Sequence, residues 1–402
     1  MDIIRKERGF NAQRKVFLSY NEHDAVNRDK IIADLLSMDA GMDCRVSYLE
    51  ASDAGIDREE LENELQGTQL LVLCVTEKML NSISYGSLPA EYNIVQKLNK
   101  RFQEKRIPNH ISILPILFVE EANASADRKE NLFSLYTEKF GPIHCITASD
   151  SEYRADLKSQ MENFLPSDDL ITQIQRNAFT AKVFVGYRRT EISEARRFMK
   201  IFHALEGFES ISVFYDKFLT AGEEFNERLR ESIKVSDAFI LIVTPYLATK
   251  DKNNPEDNYV QAVEYPIAKE IGKPVVPVET IPTCRTRFAE LFPGTERAIS
   301  VADPIALRKT FVNKLGELAF TKQMDSERAY LLGMAYLKGI GVESDFDRAL
   351  RLLELARNGN GMFSEKAKEQ LDYTYKKDYG VYMRAATSDW LKYRKKLLGG
   401  IR

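Results

Sequence analysis

The sequence predicts an α/β protein made of two tandem copies of one fold, followed by an all-α region. Three observations carry this. Short, wholly apolar runs alternate with stretches of helical spacing, the same ordered set of elements occurs twice, and beyond residue 322 only helical spacing remains.

In the first copy, Lys15–Tyr20 (KVFLSY), Leu70–Thr76 (LLVLCVT) and Ile111–Val119 (ISILPILFV) read as buried strands. Asp29–Met38 and Glu91–Gln103 read as helices between them. Strands apolar along their whole length fit a parallel sheet covered by helices on both faces. The second copy repeats the series with KVFVGY at Lys182–Tyr187, AFILIVT at Ala238–Thr244 and PVVPV at Pro274–Val278. A helical run beginning near an EY pair follows in each copy, at Ala90–Lys97 and at Ala262–Lys269. Each copy then ends in an acidic turn and an amphipathic helix, Ala148–Leu165 and Val301–Phe320. The offset between copies is 167 residues at Phe17/Phe184, 173 at Glu91/Glu264 and 162 at Pro115/Pro277, as loop insertions and deletions would produce. The expected domains are 13–165 and 180–320, with a linker near Pro166–Phe179, and a helical region at 322–402. Within the last, Glu327–Asn360 reads as an αα-hairpin closed by Gly359 and Gly361. The tail from Lys366, with the single tryptophan Trp390, is basic and reads as a solvated helix face.

Composition narrows the function. The chain of 402 residues is 44% apolar and 29% charged, ordinary for a globular protein. A net charge of -3 gives no global attraction to nucleic acid or to an anionic membrane, so neither is an expected partner. Cys44, Cys74, Cys145 and Cys284 stand apart, and the four histidines lack ligand spacing, so neither a metal site nor a disulfide framework is expected. A reducing, cytoplasmic location fits that cysteine usage. The amino terminus lacks the apolar core of a signal peptide, and the longest apolar runs fall far short of a membrane span.

In an open α/β sheet, ligands bind outside the carboxyl ends of the strands. In the second copy those ends supply Tyr187, Arg188, Arg189, Asp216 and Gly222, with Glu264 beyond the apolar strand that ends at Thr244-Pro245. Arginines and a helix amino terminus suit phosphate, and a carboxylate beside them suits a sugar hydroxyl or a developing cation.

The segment VFVGYRR…VFYDKFLTAGEEFNERLRESIKVSDAFILIVTPYL…E resembles a TIR (Toll/interleukin receptor) domain of the bacterial kind, and VFLSYNEHD…DAGIDREELENELQGTQLLVLCVTEKML…E resembles the same family. The resemblance spans about three quarters of the chain. It implies two flavodoxin-like TIR domains. Many bacterial TIR domains cleave the nicotinamide–ribose bond of NAD+, giving ADP-ribose or a cyclic form as a signal in antiphage defence. NAD+ is then substrate, and no cofactor is implied. The family's essential glutamate falls on Glu264 and Glu91. Where the family often carries an aromatic before it, this chain has Val260 and Ser87, with Tyr259 and Tyr85 close by to supply a stacking ring. Tyr20 and Asp24 are the first copy's strand-end positions. That copy has no arginine in Asn21–Asp24, and the second has Gly186 where Ser19 is the family's usual residue. The resemblance also implies TIR–TIR self-assembly, hence a homo-oligomer. The hairpin Tyr330–Gly359 is similar to a Sel-one-like repeat, which implies a partner or trigger surface. Two readings stand side by side: a nucleosidase, or a non-catalytic TIR scaffold or nucleotide sensor. The bland alternative for Glu91 and Glu264 is a solvated helix glutamate.

Overall fold

The computed structural model describes residues 2–7, 12–38, 43–51, 57–83, 88–119, 126–140, 145–149, 151–188, 191–215, 223–249 and 258–372, with the backbone alone at 126–131, 133, 215 and 223–228. It is mixed α/β, with parallel-dominated sheets flanked by helices. The chain divides into two compact units. One holds Met1–Thr172, Leu337–Gly339 and the chain from Ser344; the other holds Gln173–Tyr336 and Ile340–Glu343.

The sheet of the first unit contains β1 (Asp2–Glu7), β2 (Arg14–Ser19), β3 (Cys44–Glu50), β4 (Leu70–Val75), β5 (Ser112–Leu117) and β6 (Ile146–Thr147), in the spatial order β1-β3-β2-β4-β5-β6. All neighbours run parallel except β1, which is antiparallel to β3 from Asp2↔Glu50 to Glu7↔Arg45. β1 precedes the start of the fold that the apolar runs marked. Its sequence, DIIRKE, has too few apolar residues to stand out, because an edge strand tolerates charge. Ion pairs from Arg45 to Glu7 (2.8 Å) and from Arg5 to Glu64 (3.0 Å) hold it. Side chains of β2 alternate between faces. Val16 and Leu18 pack with Ile31, Leu35, Leu157 and Met161 of helices Ala25–Leu36 and Tyr153–Phe164, and Phe17 and Ser19 point to the opposite face.

The second unit contains β7 (Ala181–Gly186), β8 (Ile211–Tyr215), β9 (Ala238–Val243), β10 (Val275–Glu279) and β11 (Ile299–Ser300), ordered β11-β10-β9-β7-β8 and parallel throughout. Val183, Val185 and Tyr187 face helices Ile192–Ala204 and Pro304–Leu315. Phe184, Phe239 and Leu241 form the core of the other face with Val260, Tyr265 and Phe288. β8 lies at the sheet edge, where the first unit adds β1. Here a loop does the capping: Gly341 O accepts from Val213 N and from the Ser212 hydroxyl, both at 2.9 Å. Gly341 has φ +70, and a Cβ there would lie 2.9 Å from the Phe179 ring, so only glycine brings this carbonyl to the strand.

Each unit has a proline inside an interior strand, a position that normally loses a ladder bond. Ser112 N and Phe118 N bond toward β4, so the missing N–H of Pro115 faces β6. β6 pairs only with Ile116 and Leu117, beyond the proline, and no ladder bond is lost. Pro277 faces β11 in the same way, and β11 pairs only with Val278 and Glu279.

The carboxyl-terminal helices are Ser326–Lys338, Phe346–Arg357 and Met362–Asp372. Up to Tyr336 the first belongs to the second unit, where the Tyr336 hydroxyl donates to Glu209 O (2.9 Å). The other two belong to the first unit, where Phe346 meets Phe102 edge-on at 4.7 Å. Trp390 lies outside the described residues. Among those described, no helix is long and apolar enough to cross a membrane.

Phe184 is fully buried and stacks on Phe239 at 5.5 Å between ring centroids. Phe184→Ala is expected to cost the second unit about 3–5 kcal/mol, read as a lower urea midpoint by far-ultraviolet circular dichroism.

Candidate functional site

The strand order reverses beside β2 and beside β7, because chain neighbours leave on both sides of each. The carboxyl ends of these strands are therefore where a ligand crevice forms in an open α/β sheet. The structure brings one buried glutamate to each.

In the first unit Glu91 lies in the first turn of helix Ala90–Glu104 and is 8% exposed. The hydroxyl of Ser19, the last residue of β2, lies near enough to the Glu91 carboxyl to favour its ionised form. Burial pushes the Glu91 carboxyl above the ordinary range; its backbone hydrogen bond and the Ser19 hydroxyl oppose that shift.

In the second unit Glu264 is 4% exposed and ends a π-turn, Val260–Glu264. Tyr265 N bonds back to Val260 O, five residues away, in place of the usual four. Pro266 supplies the reason. It has no N–H for the carbonyl of Ala262, and its ring needs room there, which one wide turn provides. Glu264 then lies against the end of β7: a Cβ built on Gly186 would sit 2.8 Å from Glu264 Oε2. Neither glutamate is a solvated helix residue.

A second acidic pair repeats as well. The Thr76 hydroxyl, just past β4, donates to Asp24 Oδ2 (2.6 Å) and accepts from Met79 N (3.0 Å). The Thr244 hydroxyl, just past β9, donates to the Glu191 carboxylate and accepts from Leu247 N (3.1 Å). Each pair ties the helix after the first parallel strand to the end of its neighbour. Burial raises the Glu191 pKa, while the Thr244 bond and the Arg188 charge lower it. From sequence Glu191 stands at the end of the first strand of the second copy, with no role of its own. The available signal was its place 167 residues after Asp24, the same offset as Phe17/Phe184, obscured by the change from aspartate to glutamate.

The remaining residues separate by side. Tyr187 is buried with Val183 and Val185, on the face opposite Glu264. Tyr20 likewise packs on the face opposite Glu91, its hydroxyl accepting from Arg28 Nη1 (2.9 Å), with the guanidinium 5.0 Å from the Tyr20 and Tyr48 ring centroids. Strand alternation forces this, since each follows the residue that meets the glutamate. Tyr259 immediately precedes the π-turn and packs with Phe239 and Val260, on the Glu264 side. Arg188 Nη1 donates to Tyr246 O and to the Thr249 hydroxyl, both at 2.7 Å, bracing the loop after β9. Arg189, Asp216, Gly222 and Tyr85 lie outside the described residues.

A cavity of about 180 Å³ opens at the carboxyl edge of the first unit, lined by Asp24, Thr76, Lys78, Phe118 and Leu132 among others. That is below the roughly 300–1,000 Å³ of a drug-sized pocket and suits one ring or a few waters. Among the described residues no group of three His, Cys, Asp or Glu side chains could hold a metal ion.

The raised Glu91 pKa fixes a sign. The native state holds this proton more tightly than the unfolded chain, so its contribution to stability is present below the ordinary glutamate value and is lost as pH rises through the folded value. Glu91→Gln is expected to flatten that fall and to raise the urea midpoint at neutral pH. Midpoints measured across the acidic to neutral range check it.

No protein-family model matches the chain, and no curated protein matches it in sequence.

Proposed function

We propose that the chain is a TIR-type NAD+ nucleosidase, with Glu264 as the principal catalytic residue. The supporting observation is the pair of buried glutamates at equivalent strand ends of the two units, Glu91 on Ser19 and Glu264 on Gly186. The strand order of both units also fits a flavodoxin-like TIR fold, in which β2 and β7 are the first strands.

The chemistry follows from a fixed anion. Cleavage of the nicotinamide–ribose bond leaves positive charge on the ribose, as in glycoside hydrolysis. A carboxylate held in a dry site stabilises that charge more in the transition state than in the ground state. The bond electrons leave with neutral nicotinamide. Water then adds at the ribose carbon and releases a proton, giving ADP-ribose; an internal nucleophile gives a cyclic form. In this reading Tyr259 supplies the ring that stacks on the base. Arg188 holds the loop after β9 and brings positive charge to the edge where the phosphates would lie. In this reading the second unit carries the main activity, the first supports assembly with other TIR domains, and the Sel-one-like hairpin receives a partner or trigger.

One observation favours the other reading, a non-catalytic TIR scaffold or nucleotide sensor. Glu264 at 4% and Glu91 at 8% exposure offer little carboxylate surface to a substrate. Incubation of the full chain with NAD+, resolved by chromatography and mass, separates the two. Nicotinamide release that falls about 10²–10³-fold in Glu264→Gln, and far less in Glu91→Gln, is the expected result. No release at any protein concentration favours the scaffold.

A further inference from the structure

Glu264 stands on a turn that has to be held at both ends. A π-turn is rare and occurs mostly as one wide turn within a helix, often at a functional site. Pro266 acts at its far end, where it supplies no N–H to the preceding turn. Asn258, six residues before the glutamate, acts at the near end.

Asn258 is 4% exposed and uses its carboxamide twice. Its Oδ1 accepts from Gln261 N (3.3 Å), and its own carbonyl accepts from Gln261 N (3.1 Å) and Ala262 N (3.0 Å), so it caps the helix that carries Glu264. Its Nδ2 donates to Leu247 O at 2.8 Å. Leu247 is fully buried and belongs to a turn closed on Thr244: Leu247 N bonds to the Thr244 hydroxyl (3.1 Å), and Ala248 N to Thr244 O (3.2 Å). Thr244 directly follows β9, so a bond to Leu247 O is a bond to the end of an interior strand. A cap needs only an oxygen, and serine, threonine or aspartate would serve. Asparagine has an amide N–H to give beside the capping oxygen, and the tie to Leu247 uses it. In the first unit Glu91 is the second residue of its helix, and the N-cap residue Pro89 makes no side-chain cap. The capped and tied start is a feature of the second unit.

We propose that Asn258 is a positioning residue for Glu264. Its oxygen starts the helix, and its amide nitrogen locks that start to the end of β9, so that the wide turn delivers the carboxylate to Gly186. Pro266 holds the turn from the other side. The consequence for turnover rests on the nucleosidase reading; the consequence for the placement of the carboxylate does not.

The two uses of the side chain come apart in variants that can still cap. Asn258→Ser and Asn258→Asp keep an oxygen for Gln261 N and lose the amide N–H to Leu247 O. A residue that only stabilised the helix would be replaced by either with little effect, and Asn258→Ala, which loses the cap, would be the impaired variant. The readouts are NAD+ turnover and the carboxyl ¹³C signals of Glu264 and Glu91 in the labelled full chain, assigned by their loss in Glu264→Gln and Glu91→Gln. Both capped variants are expected to keep the far-ultraviolet circular dichroism of the wild type and to shift the Glu264 signal while that of Glu91 stays in place. Their kcat is expected to fall about 10²-fold with KM little changed. A Glu264 signal that stays put in both, or a kcat that falls only in Asn258→Ala, overturns the proposal. If Asn258→Asp does not fold, because its carboxylate faces Leu247 O, Asn258→Ser decides alone. A wild-type chain that cleaves no NAD+ sinks the nucleosidase reading, while the Glu264 signal still decides this one.

Discussion

Burial of both faces of a parallel sheet is the constraint on which the rest of each unit depends. It demands strands that are apolar along their whole length, and it requires helices above and below. It also fixes sidedness. Once Val16 and Leu18 face the helix Ala25–Leu36, Phe17 and Ser19 must face the other way. The glutamates approach from that other side, so the last residue of the first strand is the one each meets. A shift of one residue in either strand would put a tyrosine, Tyr20 or Tyr187, under the carboxylate instead.

Carboxylates at this depth are costly, and each unit provides for them locally. A buried ionised group without hydrogen bonds changes its protonation state or its surroundings. Thr76 and Thr244 each offer one hydroxyl hydrogen to an acid and their lone pairs to a backbone N–H, so both groups of each pair are satisfied at once. The Ser19 hydroxyl favours the ionised form of Glu91. Where β2 ends in Ser19, β7 ends in Gly186, and a Cβ there would meet both the Glu264 carboxylate and the Phe239 ring one strand away. Close packing makes such paired changes necessary, because an interior has no spare volume to absorb a single one.

The two units therefore share a frame and differ in local detail. The features they share are those that the sheet enforces: strand order, the proline in the fourth parallel strand, and the acid–threonine tie between strand ends. Their differences concern the environment of the glutamate and the treatment of the sheet edge, which β1 covers in one unit and the Gly341 loop caps in the other. A frame fixed by burial leaves such places open to change, since they add little to the core.

By itself the sequence determined the α/β class of fold, the order of the apolar strands and the place of one glutamate after the third parallel strand of each unit. Apolar runs, their order and the spacing around Glu91 and Glu264 are local signals, and burial of a parallel sheet writes them directly into composition. It did not reveal β1, whose charged residues conceal an edge strand held by pairing and ion pairs. Nor did it separate Tyr187 and Tyr20 from the glutamates, because adjacency along a strand means opposite faces in space. The ties from Thr76 to Asp24 and from Thr244 to Glu191 emerged only when the strand ends were brought together. The seat of Glu264 was decided by tertiary structure alone: it needs Gly186, Phe239 and the π-turn before Pro266, three features far apart in the chain that meet only after the sheet has formed.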